Sequence, residues 1–149
     1  MNNIDDVVKS WGSNQNMTPI ASDDIATLEA KLGVQLPDTY KYLLSTYGLV
    51  RTPNVLSKVC DLSVEIAQVQ DFLSLDDVAS LSQLYEMTGM PNGHILFASD
   101  CQGNMFCFKA SECVSNNKDI AVWLYEHDLR TVVKVANTFS KWLGQFSKL

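Results

Sequence analysis

The sequence predicts an α+β fold, in which an antiparallel sheet of about four to six strands packs with N-terminal, middle and C-terminal helices. Apolar residues recur at helical spacing in segments that end at glycine, and the second half of the chain holds β-branched and aromatic runs separated by turn residues. The 149 residues are 46% hydrophobic and 19% charged, which is enough apolar material for one packed core. No repeat or composition break divides the chain, so we expect a single domain over residues 1–149.

Three amphipathic segments in the first third of the chain predict helices. They span residues 3–12, 22–32 and 37–47, with apolar stripes at Ile4, Val7, Val8 and Trp11, at Ile25, Leu28 and Leu32, and at Tyr40, Leu43, Leu44 and Tyr47. Asn3 and Ser22 are the expected N-caps of the first two, and Pro37 suits the first turn of the third. A glycine follows each segment in the left-handed C-cap position, namely Gly12, Gly33 and Gly48.

The rest of the chain predicts strands between two helices. Residues 55–75 mix Val, Ile and Phe with polar residues, which indicates one or two strands, and ILFASDCQGNMFCF indicates a β-hairpin with Gly103 and Asn104 at its tip. IAVWLY and TVVKV indicate two more strands. Asp76 or Asp77 is the expected cap of the middle helix, and Asn137 that of the closing helix. The apolar stripes of these two helices are Val78, Leu81, Leu84, Tyr85 and Met87, then Phe139, Trp142, Leu143 and Phe146.

Three segments together resemble the SUKH superfamily, most closely its Smi and Knr type. They are LPDTYKYLL at 36–44, FASDCQGNMFC at 97–107 and WLYEHD at 123–128. The sequence departs from the family pattern after Tyr47, where Gly48, Leu49 and Val50 replace an Asn-Gly-Gly-like ending. The resemblance covers roughly residues 20–146, so we expect a SUKH-like core there and an extension of one helix and a loop over 1–19.

The resemblance implies a protein-binding role. In bacteria such proteins are immunity proteins that bind and block a polymorphic toxin, frequently a nuclease, whereas fungal relatives are signalling scaffolds. The family has no accepted catalytic set, so the resemblance implies neither an enzyme nor a cofactor. We therefore expect an immunity protein that neutralises a cognate toxin by occlusion. The alternatives are a regulatory adaptor of the Smi/Knr type and, more remotely, a small thiol or metal-dependent hydrolase.

The charge of the chain favours a basic protein partner. Seventeen acidic residues against eleven basic ones give a net charge of −6, which disfavours binding to nucleic-acid phosphates. The start MNNIDDVVKSWG carries acids where a secretory signal is basic, and the longest apolar run, residues 120–125, is far too short to span a bilayer. We expect a cytoplasmic protein with no membrane partner, of unassigned oligomeric state.

The cysteines and histidines are expected to be structural. Cys60, Cys101, Cys107 and Cys113 are expected to be reduced thiols, and because no two form a Cys-x-x-Cys pair, zinc is not expected even with His94 and His127 included. Cys107 is expected to pack within the sheet, and both histidines to lie in turns. The only nucleophile set available to the hydrolase alternative is Cys101 with His127 and Asp128 or Asp100.

The acidic side chains divide into helix-start pairs and candidate contact residues. Three pairs lie in predicted first turns, where carboxylates favour the helix dipole: Asp5-Asp6, Asp23-Asp24 and Asp76-Asp77. The candidates for partner binding are Asp100, Asn104, Glu126 and Asp128, together with Trp123. Glu126, His127 and Asp128 are expected to join Asp100 in one acidic rim. Asp100 also fits a purely structural role in the hairpin turn. Trp123 shares a predicted strand face with Tyr125, where an exposed aromatic would favour an interface and a buried one the core.

Overall fold

The protein is described by a computed structural model over residues 2–10, 18–49, 71–100, 103–114 and 118–145. Its helices are α1 (Asn2–Ser10), α2 (Ser22–Leu32), α3 (Asp38–Thr46), α4 (Leu75–Met87) and α5 (Phe139–Gly144). Its strands are β1 (Asp71–Phe72), β2 (His94–Ser99), β3 (Met105–Lys109), β4 (Val122–Glu126) and β5 (Thr131–Ala136), and a short 3-10 turn, Ala110–Glu112, follows β3. Of the strand prediction over 55–75, β1 is confirmed and residues 73–75 are wrong, since they lie outside any strand. Residues 55–70 lie outside the described residues, as do Trp11, Gly12 and Phe146.

The five strands form one antiparallel sheet in the order β1-β2-β3-β4-β5. Ile95 of β2 lies opposite Phe108 of β3, and Tyr125 of β4 lies opposite Val132 of β5. Together with the helices this sheet confirms the predicted α+β fold, and β2 to β5 confirm the hairpin and the two strands predicted after it. The β2–β3 and β4–β5 hairpins have their turns at the same end of the sheet, because every strand runs antiparallel to its neighbour.

Aromatic side chains join α3 and α5 to one face of the sheet. Phe97 and Phe108, from neighbouring strands, stack with their ring centroids 4.2 Å apart. The Tyr40 ring of α3 lies 5.5 Å from Phe97, and the Trp142 ring of α5 lies 4.9 Å from Phe106. All of these rings are buried. Because each buries a large apolar area, they form the centre of the core and fix both helices against the strands.

The predicted N-caps of α2, α4 and α5 are wrong; they were Ser22, Asp76 or Asp77, and Asn137. Ala21 holds the N-cap position of α2, and Ser22 is already helical. Ser74 caps α4, with its Oγ accepting a hydrogen bond of 3.2 Å from Asp77 N, and Thr138 caps α5, with its Oγ1 accepting one of 3.2 Å from Lys141 N. Each capping hydroxyl lies three residues before the amide that it accepts from, which is the usual N-cap geometry. Several polar residues stand side by side at each helix start, so the residue types alone do not select the cap.

Two of the predicted C-caps are confirmed. Gly33 follows α2 with a φ of 68°, and Gly48 follows the last turn of α3 with a φ of 88°. Gly48 also lies against the backbone of Thr18, since a Cβ added to it would stand 2.1 Å from the Thr18 carbonyl oxygen. The glycine at 48 is therefore required both by conformation and by space.

Helix α4 packs beside β2 through part of the predicted apolar stripe, since Val78 is buried and both Leu81 and Tyr85 are partly buried against the core. Val78 and Ser82 are buried, whereas Leu84 and Met87, which were expected on the apolar stripe, are 49% and 78% exposed. Ser82 Oγ donates to Val78 O at 2.6 Å and accepts from Leu96 N at 2.9 Å. Ser82 thus satisfies a backbone amide of β2, and this polar contact turns Leu84 and Met87 towards solvent.

Helix α1 packs on α5 through the predicted apolar stripe, of which Ile4, Val7 and Val8 are buried. Asn3, predicted as its cap, lies inside the helix, because α1 already begins at Asn2. Asp5 in its first turn does more than favour the helix dipole. Its Oδ1 accepts hydrogen bonds from the hydroxyl groups of Tyr42 and Tyr47, so it connects α1 to α3.

Candidate interaction site

The two hairpin turns at one end of the sheet are hydrogen-bonded to each other. Asp100 accepts from the backbone amide of Asn104 at 2.8 Å and from its side-chain amide at 3.1 Å. Asn104 Oδ1 in turn accepts from His127 N at 3.2 Å. The structure therefore brings Asp100 and Asn104 beside residues 126–128. We call these five residues, which belong to the pair of hairpin turns, the turn pair. A binding role for them remains a prediction.

The side chains of the turn pair differ in how far they are exposed to a partner. Asp100 is only 9% exposed, and both of its carboxylate oxygens accept from Asn104, so it builds the turn as the structural alternative requires. Glu126 is half-buried, whereas the Asp128 side chain is 86% exposed. His127 is exposed in the turn as expected, with its Nδ1 3.2 Å from Asp128 Oδ1. Asp128 is therefore the acid of this set that is most available for contact.

Trp123 lies apart from the turn pair, at the other end of β4. It is half-buried, and its ring is contacted by cations from both neighbouring strands. Lys109 Nζ stands 3.8 Å from the ring centroid, Lys134 Nζ stands 5.3 Å from it, and Trp123 Nε1 donates to Glu112 Oε1 at 3.4 Å. Sequence reasoning singled out Trp123 but not the two lysines, because their approach depends on strand register.

A groove between α2 and α4 also went unrecognised in the sequence. It has two lobes, of about 700 Å³ and about 450 Å³, and both are lined by Lys31 and Asp76. Asp24 joins Asp76 in the smaller lobe, so acids from the first turns of two helices meet there. Asp24 and Asp76 are each predictable as an acid at a helix start. That both line the same lobe depends on how α2 and α4 pack.

The described cysteines are buried and not activated. Burial raises the pKa of the Cys107 thiol and of the Cys113 thiol to about 12, which leaves both protonated and unreactive near neutral pH. Cys107 packs within the sheet as expected. Cys60 and Cys101 lie outside the described residues, and within the described ones no His, Cys, Asp and Glu group of metal-binding size is present.

His94 does not lie in a turn, contrary to the sequence expectation. It is the first residue of β2 and is 9% exposed, because Gly93, with a φ of 85°, ends the turn one residue earlier. Its Nδ1 stands 2.9 Å from the Pro91 carbonyl oxygen, and since a carbonyl only accepts, Nδ1 carries the proton. His94 is therefore a structural residue at the start of the hairpin.

Comparison with known families gives a match over most of the chain. A family model described as the SMI1 / KNR4 family (SUKH-1) matches residues 19–145. The chain belongs to the SMI1/KNR4 family. The match contains every described element from α2 to α5 and confirms the resemblance recognised in the sequence, whereas α1 lies before it. A search of curated proteins found no match.

Membership of the SMI1/KNR4 family supports a role in binding other proteins, of the immunity type or the Smi/Knr type. It carries no catalytic residues onto this chain. No helix in the described parts of the chain is long and apolar enough to cross a membrane. The turn pair and the surroundings of Trp123 contain the described residues for which partner binding is predicted, and that role stays a prediction.

Proposed function

We propose that this chain is an immunity protein, which binds a cognate toxin domain and neutralises it by covering its working surface. The observation that carries the proposal is membership of the SMI1/KNR4 family over residues 19–145. Blocking by occlusion is favoured by a rigid binding surface, because ordering a mobile surface on binding costs free energy and lowers the affinity for the partner. The hydrogen bond from His127 N to Asn104 Oδ1, which joins the two hairpin turns, supports such a surface at one end of the sheet.

The partner that we propose is a basic toxin domain, such as a nuclease. The support is the net charge of −6, which raises the rate of encounter with a positively charged protein. Toxins that act on nucleic acid need a basic surface for the phosphates, and an acidic protein is suited to approach that surface. The proposed site of action is the cytoplasm, and the proposed activity is binding rather than catalysis.

The test is co-expression in a bacterial host with the C-terminal domain of each large toxin-like reading frame beside the gene for this chain. We expect one such domain to stop growth alone, to be tolerated with this chain present, and to form a complex that survives gel filtration. Binding should weaken as salt rises, because exposed charges are screened. If a partner binds without any loss of its activity, the chain is a regulatory adaptor of the Smi/Knr type, and the immunity proposal is overturned.

A further inference from the structure

Trp123 lies on the face of the sheet that α5 does not cover. Its neighbour Leu124 is paired with Phe106, whose ring contacts Trp142 of α5, and side chains alternate between the two faces of a strand. Trp123 therefore faces the other side, together with Tyr125. Tyr125 is covered by Tyr85 of α4, with ring centroids 6.0 Å apart, whereas Trp123 remains partly exposed.

Two lysines reach the Trp123 ring from the strands on either side of β4. Lys134 of β5 is directly across from Trp123, and Lys109 of β3 lies two residues beyond Cys107, which is the β3 partner of Trp123. Their ammonium groups stand 5.3 Å and 3.8 Å from the ring centroid, distances at which a cation is attracted by the π face. We call Lys109, Trp123 and Lys134 the Trp123 patch.

The Trp123 patch has more positive than negative charge around it. Among the residues that the structure describes, neither lysine forms an ion pair, and Glu112 accepts a hydrogen bond from the indole nitrogen. Both ammonium groups lie beside the same ring, so a carboxylate that docks there can form an ion pair with either of them. A partly exposed Trp flanked by cations therefore suits an acidic group, with the ring supplying apolar contact area.

We propose that the Trp123 patch is a docking point for an acidic segment of the partner protein, whose carboxylates pair with Lys109 and Lys134. The proposal rests on the proposed function for the identity of the partner as a toxin domain. Charge complementarity selects the occupant: the patch is cationic, and the net charge of −6 opposes a polyanion such as nucleic acid. A basic toxin is compatible with this contact, because charges farther away than about 8 Å are largely screened at physiological salt.

Two double variants with the same net charge test the proposal on the toxin. Lys109→Glu/Lys134→Glu reverses the patch, and Lys118→Glu/Lys141→Glu reverses two exposed lysines elsewhere. We expect the patch variant to bind on the order of tenfold more weakly or worse and the control variant to stay within about threefold of the wild type. If long-range attraction to a basic partner alone governs binding, both variants bind at least as tightly as the wild type, and the proposal is overturned.

A milder variant guards against loss of folding. Lys109→Gln/Lys134→Gln removes the charges without introducing new ones, and circular dichroism and thermal unfolding show whether each variant retains the native fold. The expected order of affinity is wild type, then the Gln pair, then the Glu pair. A folded Gln pair with unchanged affinity would count against the proposal.

A peptide arm does not depend on the toxin. The full chain, labelled with ¹⁵N, is titrated with the peptide Ac-Gly-Glu-Gly-Glu-Gly-NH₂ and with its glutamine counterpart. We expect a saturable shift of the Trp123 indole N–H with the Glu peptide only, abolished in the Gln pair. Equal shifts with both peptides, or no shift with either, would overturn the proposal that the Trp123 patch binds an acidic segment. A wild-type chain that binds the Glu peptide but neutralises no toxin overturns the proposed function and leaves the patch standing.

Discussion

The Tyr42 hydroxyl donates a hydrogen bond of 2.8 Å to Asp5 Oδ1, and the Tyr47 hydroxyl donates to the same oxygen. Asp5 belongs to α1, before the residues that match the family, whereas both tyrosines lie within the match. One carboxylate thus ties the N-terminal helix to α3 and its end. Both hydrogen bonds need an ionised Asp5 and protonated tyrosines, so the connection depends on pH.

We predict that this cluster stabilises the fold between two pH limits. The hydrogen bonds from Tyr47 and Tyr42 lower the pKa of Asp5, so its contribution is complete above about pH 4, where an unfolded aspartate is ionised. That contribution is lost as the pH falls through the lower, folded pKa. The hydrogen bond to Asp5 raises the pKa of Tyr47 to about 12, so the tyrosine contribution is complete below about pH 10 and is lost as the pH rises through 12.

Urea unfolding of the wild type and of Tyr47→Phe, from about pH 2 to about pH 12, measures this contribution on both sides. At neutral pH we expect Tyr47→Phe to lower the free energy of unfolding by about 1 kcal/mol, since solvent screens a partly exposed hydrogen bond to a charge. Above about pH 10 the difference between the two proteins should shrink, because the wild type then loses the same interaction. A difference that stays constant up to pH 12 would contradict the assignment.

Tyr40→Phe is predicted to have the opposite outcome. The Tyr40 hydroxyl is buried and has no hydrogen-bond partner among the described residues, and burial raises its pKa. Removing a buried hydroxyl that has no partner relieves its desolvation cost, so we expect the free energy of unfolding to stay the same or to rise by up to about 1 kcal/mol. The measurement is urea unfolding at neutral pH beside Tyr47→Phe. A loss of stability equal to that of Tyr47→Phe would show that the Tyr40 hydroxyl has a partner after all.

The fold was largely predictable because the sequence marks it locally. The hairpin from Ile95 to Phe108 follows from two apolar runs around Gly103, and the ends of α2 and α3 follow from Gly33 and Gly48. Local pattern fails where a tertiary contact decides. Ser82 is buried and Leu84 exposed because Ser82 satisfies an amide of β2, a contact 14 residues away in sequence that helical periodicity does not contain.

The candidate site was predictable only in part, for the same reason. Asp100 and Asn104 are near each other in sequence and favour turns, but the hydrogen bond that Asn104 accepts from the His127 amide spans 23 residues. Trp123 attracts notice by its residue type, whereas Lys109 and Lys134 become its neighbours only through the register of three strands. Residue type therefore indicates a site more readily than it indicates the charges around that site.

Gly48→Ala is predicted to be far more destabilising than Gly33→Ala. Both glycines have left-handed backbone angles, with φ of 88° and 68°, which cost a non-glycine residue about 1 kcal/mol. Only at Gly48 would the new Cβ also strike a backbone atom, the Thr18 carbonyl oxygen at 2.1 Å, whereas nothing lies within 4 Å at Gly33. We expect a loss of about 1 kcal/mol for Gly33→Ala and of about 3 kcal/mol or more for Gly48→Ala in chemical denaturation. Equal losses would mean that Thr18 moves aside without cost.

Asp100→Ala and Asp128→Ala are predicted to separate the structural acid of the turn pair from the exposed one. Asp100 is buried and accepts two hydrogen bonds from Asn104, so its removal leaves an amide without its acceptor and should lower the free energy of unfolding by about 2 kcal/mol. The Asp128 side chain is 86% exposed, so its removal should change that free energy by less than about 0.5 kcal/mol. Any weakening of partner binding by Asp128→Ala then reports contact alone. If both variants lose equal stability, the division of roles is wrong; if Asp128→Ala leaves stability and affinity unchanged, Asp128 is not a contact residue.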